Sequence, residues 1–430
     1  MRVLLTGASG FIGRHLLSAL LNAGHQIIGV VRHPPAAGPA PNLSYLHMDF
    51  SAALSVDDWI DAVAGVDVII NAVGIFRESG SQSFDALHRA APCALFEAGA
   101  KSGVTKIVQI SALGADAHAN SAFLRSKKAA DDFLLSLPAN ATVVQPSLVY
   151  GPGGTSARQF NMTASLPVIP LPGNGEQQIQ PVHIDDLTQL VLALLEHAGD
   201  LPPRVAVAGP TALSMRSFYA TLRQAMGIAR PARFMPVPWP LVKAAAAVGN
   251  RLPNSLLTTD SISMLQRGNT ADISNMRRLI DRAPRGVDEF VPRPYVRAVR
   301  TWAQMLWLLP VLRISIGLVW IITGIVSVGL YPVQDSYALL ARTGTPPWLA
   351  PLFLYGAALL DLMLGILTLL PRRSRYLWLA QAGLILAYTI IISLKLPEFW
   401  LHPYGPVLKN LPLLAALWIL HELEDRKWTT

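Results

Sequence analysis

Thr6-Gly7-Ala8-Ser9-Gly10-Phe11-Ile12-Gly13, directly behind the apolar run Arg2-Val3-Leu4-Leu5, is the stretch whose reading decides the fold. It reads as a short buried strand, a glycine-rich turn and the start of a helix. Gly7 permits the tight turn, Gly10 lets the backbone approach a pyrophosphate, and Gly13 lets the helix pack closely on the sheet. The helix N-terminus offers free N–H groups and a partial positive charge to phosphates. Ile12, Leu16, Leu17 and Leu20 continue at helical spacing. That strand–turn–helix context is what the glycine pattern needs to be read as a dinucleotide site. Ser9, Phe11 and Ile12 join the three glycines as candidate cofactor contacts.

Beyond this turn, apolar runs alternate with helical patterns up to residue 150. Strands are predicted at 2–6, 26–31, 44–48, 67–71, 105–111 and 141–146, and helices at 11–23, 56–64, 84–102 and 121–137. The strands are continuously apolar, hence buried on both faces, which predicts an α/β doubly wound parallel sheet of the Rossmann kind. A ligand then sits at the carboxyl ends of the strands. Arg32 stands at the end of the second strand, where an NAD-preferring site carries an acid for the ribose hydroxyls; a guanidinium there pairs instead with the 2′-phosphate of NADP. Asp49 after the third strand is a candidate for the adenine amino group, or a plain turn-forming Asp. Asn71-Ala72-Val73-Gly74 ends the fourth strand, where small residues let the backbone line the cofactor, so Ala72 and Val73 are candidate contacts.

Composition narrows the rest. Of 430 residues, 52% are hydrophobic and only 14% charged, and the net charge is +8. The charge deficit is concentrated in the last 130 or so residues, which places a domain boundary near 300 and domains at 1–300 and 301–430. The single cysteine, Cys93, excludes an internal disulfide and reads as a small core residue. The ten histidines show no metal-ligand spacing. No basic run is interleaved with aromatics, so the positive excess is assigned to a membrane surface, not to nucleic acid. The short first apolar run predicts no secretory signal.

By these residues the chain resembles the extended and atypical short-chain dehydrogenase/reductases, in particular the subgroup holding the nucleotide-binding accessory subunit of respiratory complex I. The resemblance rests on the opening turn, on Asn71–Gly74, on Gln109-Ile110-Ser111-Ala112, on Gln145-Pro146-Ser147-Leu148-Val149-Tyr150-Gly151-Pro152 and on Pro181-Val182-His183-Ile184-Asp185-Asp186-Leu187. Ser111-Ala112-Leu113-Gly114-Ala115 and Leu257-Thr258-Thr259-Asp260 are similar to the subgroup. It implies a nicotinamide dinucleotide, which Arg32 reads as NADP with NAD as the alternative, held also by Pro146 and Leu148, and a Ser-Tyr-Lys catalytic set. Ser111 and Lys127 match two of its members. Phe123 occupies the Tyr position and has no proton to give. Three readings stay open: Lys127 is itself the acid, another residue or a water substitutes, or the site binds nucleotide without turnover. Tyr150 is expected to pack on the nicotinamide side, and His183 to be structural at the start of a helix. Residues 151–300 are expected to include a small substrate lobe, with Phe160, Met162, Phe234, Met235 and Trp239 as pocket or core residues.

Four apolar segments follow, at about 304–329, 347–370, 376–394 and 406–421. A helix needs about 20 apolar residues to cross a bilayer, so a four-helix transmembrane bundle is expected, with the fourth span marginal. Arg293, Arg297 and Arg300, then Arg372, Arg373 and Arg375, then Arg426 and Lys427 fall on one side, which predicts cytoplasmic N- and C-termini in the inner membrane. This part resembles the DoxX-like membrane family on Leu312–Trp320 through Gly324 and on His402-Pro403-Tyr404-Gly405-Pro406 with Lys409-Asn410. Arg313 and Asp361 are expected to pair inside the bundle, and Trp348, Trp378, Trp400 and Trp418 to anchor at the interface. The expected whole is a bilayer-embedded, NADP-binding oxidoreductase acting on a lipophilic carbonyl or quinone. Its rival is a non-catalytic nucleotide sensor or an accessory protein of a membrane redox complex. Protein partners and oligomeric state are left open.

Overall fold

Runs rich in Val, Ile and Leu form most strands of the first unit. In the computed structural model, which describes residues 1–33, 41–80, 82–252, 255, 257–371 and 374–423, the chain divides into Met1–Ala303 and Gln304–Thr430. The first unit alternates β1 (Arg2–Thr6), α1 (Phe11–Asn22), β2 (Gln26–Val31), β3 (Leu43–His47), α2 (Asp57–Val63), β4 (Val68–Asn71), α3 (Ala91–Lys101), β5 (Lys106–Ile110), α4 (Ala122–Ser136) and β6 (Ala141–Pro146). The six strands expected are all present. A seventh, Arg204–Val207, completes a parallel sheet ordered Arg204–Val207, β6, β5, β4, β1, β2, β3. Four residues behind a Pro-Pro pair gave this strand too little pattern to be read in advance. Leu16 and Leu20 of α1 are fully buried against the sheet; each such leucine contributes about 1.5–3 kcal/mol relative to an exposed one.

The order of strands reverses between β1 and β4, because β1 leads to β2 on one side while β4 and β5 build the other. That reversal opens a crevice at the carboxyl ends of the strands. A buried polar chain crosses it: Thr6 Oγ1 donates to Asn71 Oδ1 at 2.5 Å, and Asn71 Nδ2 donates to Gln109 Oε1 at 2.7 Å.

The rest of the first unit adds α5 (Thr155–Ser165), α6 (Ile184–Glu196), α7 (Met215–Ala225), α8 (Trp239–Gly249), α9 (Thr259–Arg267) and α10 (Ser274–Ile280). A small lobe forms where the strand Phe234–Val237 pairs with Ile169–Pro172. Phe160 and Phe234 pack into its core around Phe218, Leu222 and Phe290, whereas Met235 is exposed.

In the second unit the long helix α11 (Val296–Ile325) is followed by α12 (Val333–Arg342), α13 (Ala350–Leu369), α14 (Tyr376–Lys395) and α15 (Asn410–Leu423). Among the described residues three helices, Arg293–Leu330, Ala350–Leu369 and Tyr376–Lys395, are long and apolar enough to cross a membrane. The fourth expected span is not among them: its apolar helix, Asn410–Leu423, has 14 described residues, about 21 Å at 1.5 Å per residue, against the roughly 30 Å hydrocarbon core. Pro406 through Lys409 lie outside that helix, in a turn.

Small residues let α11 and α13 meet closely. A Cβ on Gly365 would lie 2.6 Å from Ile321 Cγ1 and 2.9 Å from the Gly317 carbonyl oxygen, and one on Gly324 would lie 2.8 Å from the Ala358 carbonyl oxygen. Across the helices, Trp320 Nε1 donates to Gln381 Oε1 at 2.8 Å and Gln381 Nε2 to Thr368 Oγ1 at 2.7 Å, all three residues being buried. Packing and interhelical hydrogen bonds are what hold helices together in lipid. Gly365→Leu is therefore expected to destabilise the membrane unit by about 1–3 kcal/mol or more, read as a lowered unfolding midpoint in detergent. Gly356→Leu, whose added carbon meets nothing within 4 Å, leaves the midpoint in place.

Two expectations for this unit change. Trp378 is 1% exposed and sits in the helix core, not at an interface, while Trp348 and Trp418 are exposed. No ion pair joins Arg313 to Asp361 among the described residues; Asp361 is buried with its Oδ1 lacking a hydrogen-bond partner. Arg342, the last residue of α12, does pair with Glu398 in the short helical turn Pro397–Trp400. Arg372, Arg373, Arg426 and Lys427 lie outside the described residues.

Candidate active site

The glycine turn lies at the strand-order reversal. Gly7 has φ +68°, and a Cβ there would stand 2.8 Å from the carbonyl of Ala72 and 2.9 Å from the Val73 nitrogen. The turn from β1 thus rests directly on the residues leaving β4. Gly10 donates its N–H to the Gly7 carbonyl at 2.9 Å and is the N-cap of α1. No side chain caps that helix, and no acid occupies its first turn. Its amide end is therefore unneutralised, the condition under which a helix terminus takes an anion. Ser9 is exposed beside it, and Ile12 is half-buried against the sheet core. The Phe11 ring lies under Gly151 and Gly154, close enough that a Cβ on Gly154 would be 3.0 Å away. The segment after β6 therefore closes over the helix start, which is also where Pro146 and Leu148 stand. Pro146 accepts from the Leu113 N–H, and Leu148 donates its N–H to Asn269 Oδ1.

Arg32, exposed after β2, and Asp49 face one another electrostatically. Asp49 Oδ1 accepts from the Ser51 amide and hydroxyl at 3.0 and 2.8 Å, and these bonds hold its carboxyl below the usual range. The turn-forming role of Asp49 is thus on view.

Ser111 and Lys127 are brought together by β5 and α4. Ser121 N-caps α4, accepting from the Leu124 amide. Lys127 is 3% exposed; its Nζ donates to the Val73 carbonyl at 2.9 Å and to the Ile110 carbonyl at 3.2 Å. Burial pushes its pKa down to about 8, with nearby Asp131 pulling the other way. Asp131, one turn along α4, is wholly buried and accepts from Ser111 Oγ at 2.5 Å. Burial drives its pKa up to about 6. Its Oδ1 has no hydrogen-bond partner, and Arg204 Nη1 stands 3.8 Å from its Oδ2.

Two residues of this cluster were not read from sequence. Asp131 is the first of an Asp131-Asp132 pair on a charged helix and looks like solvated surface. His88 lies in a π-helical turn, Asp85–Ala90, at the head of α3. It is fully buried. Its Nε2 accepts from the Ile75 amide at 3.0 Å, so Nδ1 carries the proton and donates to Ser126 Oγ, also at 3.0 Å. Burial and Lys127 lower its pKa to about 2, fixing it neutral. The one available signal was the π turn itself, a feature common at functional sites, and nothing in residue spacing announces it.

Phe123 is buried and sits among aromatic rings: Phe76 stacks on it at 5.1 Å, and His88 and Phe84 meet it edge-on at 5.4 and 6.1 Å. Phe76 is itself 77% exposed. Phe76 and Phe84, with Arg77, Glu78, Asn250, Thr258, Thr259 and Asp260, line a cleft of about 260 Å³. Tyr150 is corrected: its hydroxyl donates to Asn161 at 2.9 Å, its ring stacks on Phe290 at 4.7 Å, and burial pushes its pKa to about 12. It belongs to the lobe core. His183 N-caps α6, accepting from the Asp185 amide. Cys93 is half-buried, its thiol pushed up to about 11 by burial.

Comparison with known proteins follows this division. Residues 3–209 match the NAD dependent epimerase/dehydratase family and residues 317–418 match the DoxX-like family. NADH dehydrogenase [ubiquinone] 1 alpha subcomplex subunit 9, mitochondrial, from Arabidopsis thaliana is 28% identical over 260 residues, 58% of this chain and 63% of that protein. A ceramide reductase of Caulobacter vibrioides is 28% identical over 194 residues, 44% of this chain and 60% of that protein. The chain thus spans about three fifths of the length of these curated relatives. Among solved structures, UDP-glucuronic acid 4-epimerase from Bacillus cereus in complex with NAD superposes with a TM-score of 0.52 at 17% identity, covering 71% of this chain and 100% of that one. A nucleoside-diphosphate-sugar epimerase of Staphylococcus aureus gives 0.53 at 19% identity, covering 68% and 99%.

Proposed function

We propose that this chain, an epimerase/short-chain-dehydrogenase-like NAD-binding domain followed by a DoxX-like membrane domain, is an NADP-preferring reductase of lipophilic carbonyl or quinone compounds. We place it in the inner membrane with both termini cytoplasmic. Bound at the strand-order reversal, the nicotinamide coenzyme supplies hydride. The residues present fit it: the Gly7–Gly13 turn and uncapped α1 amides for the diphosphate, Arg32 for a 2′-phosphate, and Ala72, Val73, Pro146 and Leu148 along its length.

The observation that carries the reading is Lys127. An ammonium has three N–H donors, and two of them go to the Val73 and Ile110 carbonyls. The third proton can be given to the substrate oxygen. With a pKa near 8, Lys127 is protonated at neutral pH yet gives up its proton readily, the balance general acid catalysis requires. Lys127 thus supplies the proton that Phe123 cannot. Ser111, its hydroxyl committed to Asp131, is held in one rotamer beside the reacting carbonyl. His88, neutral and fixed, lines the wall without adding a charge. The Phe76–Phe84–Phe123 rings offer an apolar surface to a lipophilic substrate. Similarity to a ceramide reductase supports a lipid carbonyl as the acceptor class.

Phe123 favours a second reading, a non-catalytic NADP(H)-binding accessory or sensor protein, which similarity to complex I subunits also supports. One assay separates the two. Full-length protein with NADPH and a panel of lipid aldehydes, ketones and quinones is followed by the absorbance of the reduced nicotinamide. The reductase reading expects oxidation with at least one acceptor. Tight NADPH binding without oxidation, with turnover appearing only in Phe123→Tyr, would assign the second role.

Coenzyme choice has its own test. A hydrogen bond to a charged group contributes about 1.5–3 kcal/mol, so Arg32→Ala is expected to weaken NADPH by about 10- to 100-fold and to leave NADH nearly unchanged in fluorescence titration. Equal losses for the two coenzymes would remove the NADP preference.

A further inference from the structure

From Leu201 to Thr259 the chain contains no Asp or Glu, yet it carries Arg204, Arg216, Arg223, Arg230, Arg233, Lys243 and Arg251. Folding employs three of these internally. Arg204 pairs with Asp132, Arg223 is buried and donates to the Ala164 and Leu166 carbonyls, and Arg216 lies over the Phe234 ring at 4.8 Å. Arg230, Arg233, Lys243 and Arg251 are exposed.

Among these four cations lies α8, Trp-Pro-Leu-Val-Lys-Ala-Ala-Ala-Ala-Val-Gly, with Lys243 its one charge. Val242, Ala246 and Gly249 are its buried residues, and the first two pack on Ile262 of α9. Leu241 is 61% and Val248 55% exposed, flanked by Met235 at 51% and Leu252 at 53%. A helix apolar on every side is normally enclosed by protein or lipid, and a contiguous apolar patch marks an interaction surface.

We propose that α8 and its flanks dock on the face of an anionic lipid bilayer, with Leu241, Val248, Leu252 and Met235 in the acyl boundary and the four cations at the headgroups. Basic residues beside an apolar helical face are the pattern of interfacial membrane binding. The occupant follows from charge. A second copy bringing the same four cations would be repelled by them, whereas anionic lipid satisfies both the charge and the apolar area; Glu78 and Asp260 lie in the neighbouring cleft. The second unit carries helices long and apolar enough to span a bilayer, so on this proposal the docking is tethered and a weak affinity suffices.

This deepens the reductase reading. The cleft lined by Phe76 and Phe84 begins at Asn250, just past α8, and Arg77 ties the two segments by donating to the Leu252 carbonyl. Phe76 leads to Phe123, Phe123 to His88, and a Cβ on Gly74 would touch both His88 and Lys127. A chain of contacts thus links the docked face, through Phe76, Phe123 and His88, to Lys127, and on this proposal a lipophilic substrate enters from the bilayer on that side.

The test reads docking without turnover, so its failure is distinct from failure of the catalytic reading. Full-length protein with Cys93→Ser and one added Cys, at Leu241, Val248 or the exposed Asp61 of α2, is labelled with a polarity-sensitive fluorophore. It is then placed in nanodiscs of phosphatidylcholine with or without phosphatidylglycerol. Spin-labelled lipid is expected to quench the 241 and 248 probes several-fold more than the 61 probe, more strongly with phosphatidylglycerol and less in high salt. Leu241→Glu with Val248→Glu is expected to abolish quenching of a probe at Leu252→Cys while NADPH binding persists. Equal quenching at all positions would overturn the proposal. So would energy transfer between labelled copies without lipid quenching, which would assign the face to a second copy.

Discussion

Lys127→Met is expected to lower the rate of substrate reduction by about 10²–10⁴, the range general acid catalysis supplies, while the protein stays folded and still binds NADPH measurably. The pH dependence identifies the group. Reduction needs the protonated amine, so the wild-type rate falls above pH about 8. His88, with a pKa near 2, contributes no limb in that range. The Asp131 charge raises the Lys127 pKa, so Asp131→Asn is expected to move the falling limb below pH 8. Stability gives an independent reading of the same amine. Its pKa is about 8 folded against an ordinary 10.5, so between these values the unfolded chain binds a proton that the folded chain does not. Wild-type stability therefore rises with pH across that window, and the variant lacks this rise. Single-turnover kinetics and thermal melts over pH 7 to 11 test both. A variant keeping the wild-type alkaline limb would remove Lys127 as the acid.

The contrast between Lys127 and His88 shows what the sequence discloses. Lys127 was legible through the resemblance to short-chain dehydrogenase/reductases, together with Ser111 and with Phe123 at the Tyr position, and the structure seats it on the Val73 and Ile110 carbonyls. The sheet was legible too, since its central strands β1 and β4 are buried on both faces and read as apolar runs, whereas the edge strand β3 is partly exposed. His88 and Asp131 were not. Each gains its role from a partner far along the chain, Ser126 for His88 and Ser111 for Asp131, and neither lies at a diagnostic interval from its partner. Tyr150 failed for a related reason: it stands in a motif next to the site, but its ring is taken up by Phe290, from the far end of the unit. In the second unit, composition gave the apolar helices but not their ends. Pro406 and Gly405 begin the last segment as a turn, and the helix starts only at Asn410.

Gly13→Ala carries the other large effect, because the obstacle is backbone. Its Cβ would stand 2.0 Å from the Gly7 carbonyl oxygen, 2.7 Å from the Gly7 carbonyl carbon and 3.0 Å from Ala8 Cα. No rotamer change relieves such a contact. Either α1 moves away from β1, uncovering Leu16 and Leu20, or the turn opens and Gly7 loses its seat on Ala72. Overpacking a rigid site costs about 1–3 kcal/mol, and here the distortion falls on the amides proposed to hold the diphosphate. Gly24→Ala is the control: φ is +78° but nothing lies within 4 Å, so it meets only the left-handed backbone penalty of about 1–2 kcal/mol. Both variants should melt below wild type. They should part on addition of NADPH, since a ligand raises the midpoint only where it binds the folded state. Saturating NADPH is expected to raise the midpoint of wild type and of Gly24→Ala by several degrees and to leave Gly13→Ala unmoved. A full NADPH-induced shift in Gly13→Ala would mean that the coenzyme is held elsewhere than at the first turn, and the Arg32 and Lys127 assignments, which depend on that placement, would fall with it.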